Sequence, residues 1–271
     1  MGFRTGDKGT KQATPILIPE LKKITALAGG TNHVLALDNK GKVFTFGAGE
    51  QNQMGRRTVA RHAQAALTPR EFGLQRKKIV KLGCGDYNSF CIDKDGKVYA
   101  WGLNAFGQTG IDIDQGDAND TITVPTIVEK LKGYQIKEIT GGAHHTLAVT
   151  EDGKALVWGS IQSGQGGIDY DDIDPEALFR DQTGAPRYLK KPVAIPDITG
   201  VSVSCGPDHC LLITQDHKVY SWGFNENYQT GQGQSDKVME ATQIENTAVA
   251  GKKLVFVGAG GQFGVIAGEP A

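Results

Sequence analysis

One spacing that returns four times limits what this chain can fold into. A glycine opens a four-residue motif at Gly30-Thr31-Asn32-His33, Gly85-Asp86-Tyr87-Asn88, Gly142-Ala143-His144-His145 and Gly206-Pro207-Asp208-His209. A mostly apolar run follows each motif, and a second apolar run ends in an aromatic–glycine pair: Phe46-Gly47, Trp101-Gly102, Trp158-Gly159 and Trp222-Gly223. The step from the His/Asn position to that second glycine is always 14 residues: 33 to 47, 88 to 102, 145 to 159 and 209 to 223. Eight residues further stands a third glycine, Gly55, Gly110, Gly167 or Gly231, with a glutamine two residues before it at Gln53, Gln108, Gln165 or Gln229. Matching residue types at fixed offsets in four places mark a repeat architecture, in which one supersecondary unit is copied along the chain.

The unit is β-rich. Its apolar runs are short and are broken by Lys40-Gly41, Asp95-Gly96 and Asp152-Gly153, which read as hairpin turns. A helical solenoid needs a 3.6-residue period, which these runs lack. The copies begin 55, 57, 64 and 54 residues apart, counted from position 33 to 88, 145, 209 and 263. Such periods exceed those of short propeller blades and suit four-stranded blades with loop insertions. The expectation is an all-β, single-domain β-propeller with repeats over approximately 21–78, 79–133, 134–197 and 198–250, and a partial copy over 251–268. Four four-stranded sheets should stand radially, with outer turns near Gly41, Gly96 and Gly153. Residues 1–4 read like the stretch that follows an upstream aromatic–glycine pair, so further repeats are expected before this chain and an incomplete ring within it.

Composition narrows the function. The 37 glycines in 271 residues are not periodic every third residue, which excludes collagen and fits a turn-rich β fold. A formal net charge of −1 gives no reason to expect nucleic acid or an anionic membrane as the main partner. No apolar stretch is long enough to cross a bilayer, and no membrane partner is expected. The four cysteines, Cys84, Cys91, Cys205 and Cys210, form no Cys-x-x-Cys pair and are expected to be small buried hydrophobes. No nucleophile elbow, phosphate loop or His-Glu-x-x-His is present, so neither a covalent catalyst nor a cofactor is expected. The alternating aspartates Asp169, Asp171, Asp172 and Asp174 lack the glycine and glutamate that a calcium loop needs.

At the quoted motifs the chain resembles the regulator-of-chromosome-condensation family over roughly residues 20–268. Residues 44–56, residues 70–74 and Gly260-Gly261-Gln262-Phe263 resemble more narrowly the fungal members that act on Ran. The resemblance implies a seven-bladed β-propeller, of which four complete blades and partial terminal blades lie here. It implies a guanine-nucleotide exchange factor, or a fragment of one, for a Ran-type nuclear small GTPase. Such a protein works by stabilising the nucleotide-free GTPase; nucleotide and Mg²⁺ belong to the partner. It also implies a nuclear location. The stretch 5–10 falls where the family carries a wedge that pries at the nucleotide site, and it lacks the apolar tip. The isolated chain is therefore expected to be a weak exchange factor. The alternative is a non-exchanging propeller scaffold that binds chromatin or another protein.

The candidate residues fall into two groups. His33, His145 and His209 (with Asn88 and Phe263 in equivalent places) and Trp101, Trp158 and Trp222 are fixed by the repeat. They are expected to be structural: the histidines hydrogen-bonded within their own blades, the tryptophans packed in the core, and none converging on a metal ion. The residues between glycine and histidine are not fixed by the repeat and fall on one face of the ring, where binding loops gather. Asn32, Asp86, Tyr87, His144, Asp208 and Gln262 are the GTPase-binding candidates there, with His144 exposed beside Asn32 and Asp208. By the resemblance, His144 matches a residue important for exchange, Asn32 an acidic position, and Arg56 an arginine that contacts the GTPase. The loop 56–78 carries net charge +6 and is a candidate contact for histones, the nucleosome or DNA.

Overall fold

A computed structural model describes residues 14–56, 66–74, 77–112, 120–171 and 173–269. Among these residues a 3-10 turn spans Glu129–Leu131, and no helix is long and apolar enough to cross a membrane. The first blade comprises β1 (Ile24–Gly29), β2 (His33–Asp38), β3 (Val43–Gly47) and β4 (Arg70–Glu71), antiparallel in chain order. The second comprises β5 (Ile79–Cys84), β6 (Asn88–Asp93), β7 (Val98–Leu103) and β8 (Thr121–Ile127). The third contains β9 (Ile136–Gly141), β10 (His145–Thr150), β11 (Lys154–Ser160) and the short edge strand β12 (Leu178–Arg180), together with the first part of β13 (Pro186–Cys205). The second part of β13 opens the fourth blade, followed by β14 (His209–Thr214), β15 (Val219–Gly223) and β16 (Val238–Gln243). A two-stranded piece, β17 (Lys253–Ala259) and β18 (Gly264–Glu269), follows.

The expectation of four separate sheets is corrected in one place. The 20-residue β13 pairs with β11 through Tyr188–Thr199 and with β14 through Gly200–Cys205, so blades 3 and 4 form one eight-stranded sheet. No turn separates the blades here; the chain bends within the strand, where Asp197 takes a φ of 57°. The turns at Gly41, Gly96 and Gly153 are also not on the outside. They lie at the seams, where a methyl group added to Gly41 would stand 3.0 Å from the Ile79 backbone and one on Gly153 2.5 Å from Thr199 Cγ2.

The core lies between blades, and the strand period explains why. Side chains alternate across a strand, so a blade packed on both sides needs apolar residues on both faces. On β6, Cys91 packs with Leu35, Leu37 and Trp101 towards blade 1, whereas Phe90 and Ile92 pack towards blade 3. On β14, Leu212 faces blade 3 and Leu211 and Ile213 face β17. Among the described residues the terminal faces have no such neighbour: Leu27 on β1 is 67% exposed and Phe256 on β17 is 53% exposed.

The repeat residues join one blade to the next. Trp101, Trp158 and Trp222 are fully buried, and each indole N–H donates to the backbone carbonyl of the preceding blade's glutamine: Gln53 at 2.8 Å, Gln108 at 3.0 Å and Gln165 at 2.8 Å. Ser89 and Thr146 donate hydroxyls to the first two of these carbonyls. Each glutamine's Oε1 accepts from a backbone N–H two residues earlier, which holds its loop in place. The motif histidines do the same work, which corrects the expectation that they bond within a blade. His33 Nε2 meets Ser89 Oγ of the next blade at 2.7 Å, His145 Nε2 meets Cys210 Sγ at 3.1 Å, and His209 Nε2 meets the Phe263 carbonyl at 3.3 Å. The glycine that opens each motif leaves room for this. A methyl group on Gly142 would stand 2.2 Å from His145 Cε1 and 2.4 Å from the Gly206 carbonyl of the next blade.

Two outcomes follow from these joints. Gly142→Ala should destabilise the chain by about 1–3 kcal/mol or more through overpacking, whereas Gly261→Ala, which meets nothing within 4 Å, should stay within about 0.5 kcal/mol; chemical denaturation compares them. Burial lowers the His33 imidazole to about 4, so the neutral ring is the folded form. An unfolded histidine gains its proton near pH 6.5. Stability from this group is therefore complete above that pH and is lost as pH falls towards about 4, on the order of 3 kcal/mol in all. His33→Asn, which copies Asn88 of the next joint, should flatten that part of the acid dependence of unfolding.

Candidate functional site

The antiparallel register puts two sets of loops on one face. His33 pairs with Gly47, Asn88 with Gly102, His145 with Gly159 and His209 with Gly223. The motif turns therefore share a face with the loops that leave β3, β7, β11 and β15, and the turns at Gly41, Gly96 and Gly153 lie on the opposite face. A backbone ladder links the motif turns: Thr31 N–H donates to the Asp86 carbonyl at 3.2 Å, Asp86 N–H to the Gly142 carbonyl at 3.0 Å, and Ala143 N–H to the Pro207 carbonyl at 2.9 Å. The result is a pre-ordered row of turns whose side chains at the second and third motif positions vary from blade to blade.

Asp86, His144 and Asp208 come together along this row. Burial is the main cause that raises the Asp86 carboxyl above its usual value; Thr31 and the two histidines oppose the shift, and Asp208 adds to it. Burial likewise lowers His144, with Asp208 and Asp86 pulling the other way. Asp208 is held by Gln165, whose Nε2 donates to Oδ1 at 2.8 Å. The three side chains form a mixed-charge centre at the junction of blades 2, 3 and 4. It can offer acceptors and, once a partner's carboxylate approaches, an imidazolium. Tyr87 is half-buried beside it, while Asn32 and Gln262 are exposed on the outlying turns of the first blade and the two-stranded piece.

Two candidates differ from the sequence expectation. His144 is half-buried rather than exposed, because its ring packs on Phe106 with centroids 4.9 Å apart. Arg56 reaches the same face, but its guanidinium turns inward. Nη2 donates to the carbonyls of Thr45, Ala66 and Thr68 at 3.2, 3.2 and 3.4 Å, and Nε to Thr45 Oγ1 at 3.3 Å. Those bonds tie β3 to its following loop through Nε and Nη2. Of the basic loop 56–78, residues 57–65 and 75–76 lie outside the described residues; at its far end Lys77 stands over the Tyr99 ring at 6.0 Å. The acidic stretch serves its own turns: Asp169, Asp174 and Asp181 accept from backbone N–H groups two residues on, and Asp174 also pairs with Lys191.

The sequence reading missed an aromatic row that extends the site. Phe106 packs edge-on against Tyr188, at 6.3 Å between centroids, and Tyr188 stacks on Phe179 at 4.7 Å. Phe179 is 41% exposed. A signal was present: the position two before the glutamine is polar in the other copies (Gln51, Ser163, Asn227) and aromatic only at Phe106. Large aromatics beside charged groups are the usual anchors of a protein-binding surface.

Comparison with known proteins shows the family to which the fold belongs. A family model described as an RCC1-like domain matches residues 1–266. Protein pim1 of Schizosaccharomyces pombe is 45% identical over 272 residues, covering 100% of this chain and 49% of the relative. The guanine nucleotide exchange factor SRM1 of Saccharomyces cerevisiae is 36% identical over 266 residues, covering 97% of this chain and 54% of the relative. The crystal structure of Prp20p from Saccharomyces cerevisiae, studied for its binding to Gsp1p and histones, superposes with a TM-score of 0.88 at 35% identity, covering 95% of this chain and 59% of that one. The chain thus spans about half the length of these sequence relatives.

The packing makes a test available for His144. Because burial is the largest cause of its lowered value, Phe106→Ala should raise the His144 pKa towards about 6.5, the value of a free imidazole. Asp208→Asn, which removes an attractive charge, should lower it further. NMR titration of the imidazole Cε1–H reads both.

Proposed function

Because this chain belongs to the family of RCC1-like domains, we propose that its motif-turn face is the GTPase-binding surface of a nuclear guanine-nucleotide exchange factor acting on a Ran-type small GTPase. The observation that carries the reading is the convergence of Asp86, His144 and Asp208 on one braced row of turns, on the face where the repeat leaves side chains uncommitted. Tyr87, Asn32 and Gln262 extend that surface, and Phe106, Tyr188 and Phe179 flank it. Arg56 braces the loop beside the surface through Nε and Nη2.

The chemistry asked of such a surface is differential binding. Exchange is accelerated when a protein binds the nucleotide-free GTPase more tightly than the loaded one, and each difference of about 1.4 kcal/mol is worth a factor of about ten. A surface braced by backbone hydrogen bonds loses little entropy on docking, so more of its contact energy is left for that difference. No side chain here needs to make or break a covalent bond. A second reading, a scaffold that holds histones or another chromatin partner, draws on the histone binding studied for Prp20p. The two readings differ in whether docking speeds nucleotide release.

The test is GDP release from a Ran-type GTPase, together with affinity for its nucleotide-free form. His144→Ala and Asp208→Asn are each expected to weaken both by about tenfold or more, the effect of removing a central polar contact. Lys40→Ala, on the opposite face, should leave both unchanged. Equal loss from Lys40→Ala, or no loss from the other two, contradicts the reading. Tight binding with no acceleration of GDP release supports the scaffold instead.

A further inference from the structure

The joint between blades 3 and 4 carries more chemistry than a joint requires. His145 Nε2 lies 3.1 Å from Cys210 Sγ, and Cys210 Sγ lies 3.5 Å from Cys205 Sγ. All three donor atoms fall within 4.8 Å of one another. The cysteines face each other across β13 and β14. Gly206 N–H donates to the His209 carbonyl in the adjacent pair, so Cys205 and Cys210 occupy a non-hydrogen-bonded pair, where side chains approach most closely. The third ligand comes from β10 of the preceding blade. His145 and Cys210 are fully buried, and Cys205 is half-buried.

The first joint of the same molecule supplies the comparison. There His33 Nε2 faces Cys84 Sγ at 3.7 Å and Ser89 Oγ at 2.7 Å. The places correspond one to one, with a hydroxyl where Cys210 has a thiol. A histidine, one thiol and one hydroxyl are therefore enough to join two blades. At the blade 3–4 joint a second thiol takes the hydroxyl's place, so two soft donors stand beside one imidazole.

We propose that His145 Nε2, Cys205 Sγ and Cys210 Sγ form a three-ligand site for a soft d¹⁰ cation, zinc(II) in particular. Two thiolates and a neutral imidazole balance a divalent ion to zero net charge, the state that a buried site tolerates best. Zinc–sulfur bonds of about 2.3 Å and zinc–nitrogen bonds of about 2.0–2.1 Å in a tetrahedron place ligand atoms roughly 3.5–3.8 Å apart. The two distances above need to open by only a few tenths of an ångström. Thiolate ligands select zinc or copper(I) over magnesium and calcium, and the half-buried Cys205 side leaves the fourth position to water, as in other three-ligand zinc sites. Ligands drawn from β10, β13 and β14 mean that the ion ties blade 3 to blade 4 directly beneath His144 and Asp208. No local motif announces the site, because the histidine stands 60 residues before the first cysteine (145 to 205) and only the fold brings them together.

Cadmium(II) titrated into the fully reduced 271-residue chain, without oxygen, reads the site through sulfur-to-cadmium charge-transfer absorption, and zinc(II) competition reads the zinc affinity. One equivalent is expected to bind. Cys205→Ser and Cys210→Ser should each lose the band or weaken affinity at least tenfold, and Cys84→Ser, at the first joint, should keep both. Cys210→Ser copies Ser89 and is expected to fold, which circular dichroism checks. Zinc should raise the thermal midpoint of the unmodified chain and leave that of Cys210→Ser in place. The proposal is overturned if the reduced chain gives no band, or if either serine variant binds as tightly as the original.

Discussion

The structure hangs on the backbone carbonyls of Gln53, Gln108 and Gln165. Each projects from its own blade into the apolar seam, where the indole N–H of the next blade's tryptophan meets it. Burying a tryptophan removes roughly 150–250 Å² from water, a gross gain of about 4–6 kcal/mol at 25 cal/mol per Å². The net gain from a hydrogen bond is only about 1 kcal/mol, but an unmet buried carbonyl costs about 1–3 kcal/mol. The apolar burial therefore drives blades together, and the hydrogen bond decides the register in which they meet. The glutamine side chain fixes that register from its own side by bonding its loop's backbone.

This arrangement separates support from recognition along a stretch of four residues. In Gly142-Ala143-His144-His145 the glycine makes room for the next blade and the last histidine reaches into it, while the backbone of the second residue joins the ladder of turns. Only side chains at the second and third positions remain free to differ from blade to blade. Asp86, His144 and Asp208 are such side chains, and Asp208 also accepts from Gln165 across the blade 3–4 joint. A binding face built this way can change its chemistry without changing its fold.

Sequence spacing was enough to read the blades, the hairpins and the face on which the candidate residues gather, because these depend on the strand period and on glycine positions. It could not show that His33, His145 and His209 bond across seams, since a repeat gives the offset within a copy and says nothing of which copy lies next to which atom. β13 escaped too: the strand runs from one blade into the next past Pro192 and Pro196, with a bend at Asp197. Arg56 looked like a free cation because the carbonyls it satisfies, from Ala66 and Thr68, come from a loop with no counterpart in the repeat. His144 looked exposed because its partner, Phe106, lies in the preceding blade's loop. For the motif histidines and His144 the missing information was a contact between blades; for Arg56 it was a contact within the first blade's own loop.

Hydrogen exchange at the indole Nε1–H groups of Trp101, Trp158 and Trp222, followed by NMR, tests the central claim most directly. If these groups hold the blades in register, all three should exchange only through the opening of whole blades, with protection matching that of the most protected β6, β10 and β14 amides. Exchange at one or more of these indoles as fast as in the exposed loops, with the strand amides still protected, would show that the blades are held together by something other than the glutamine carbonyl.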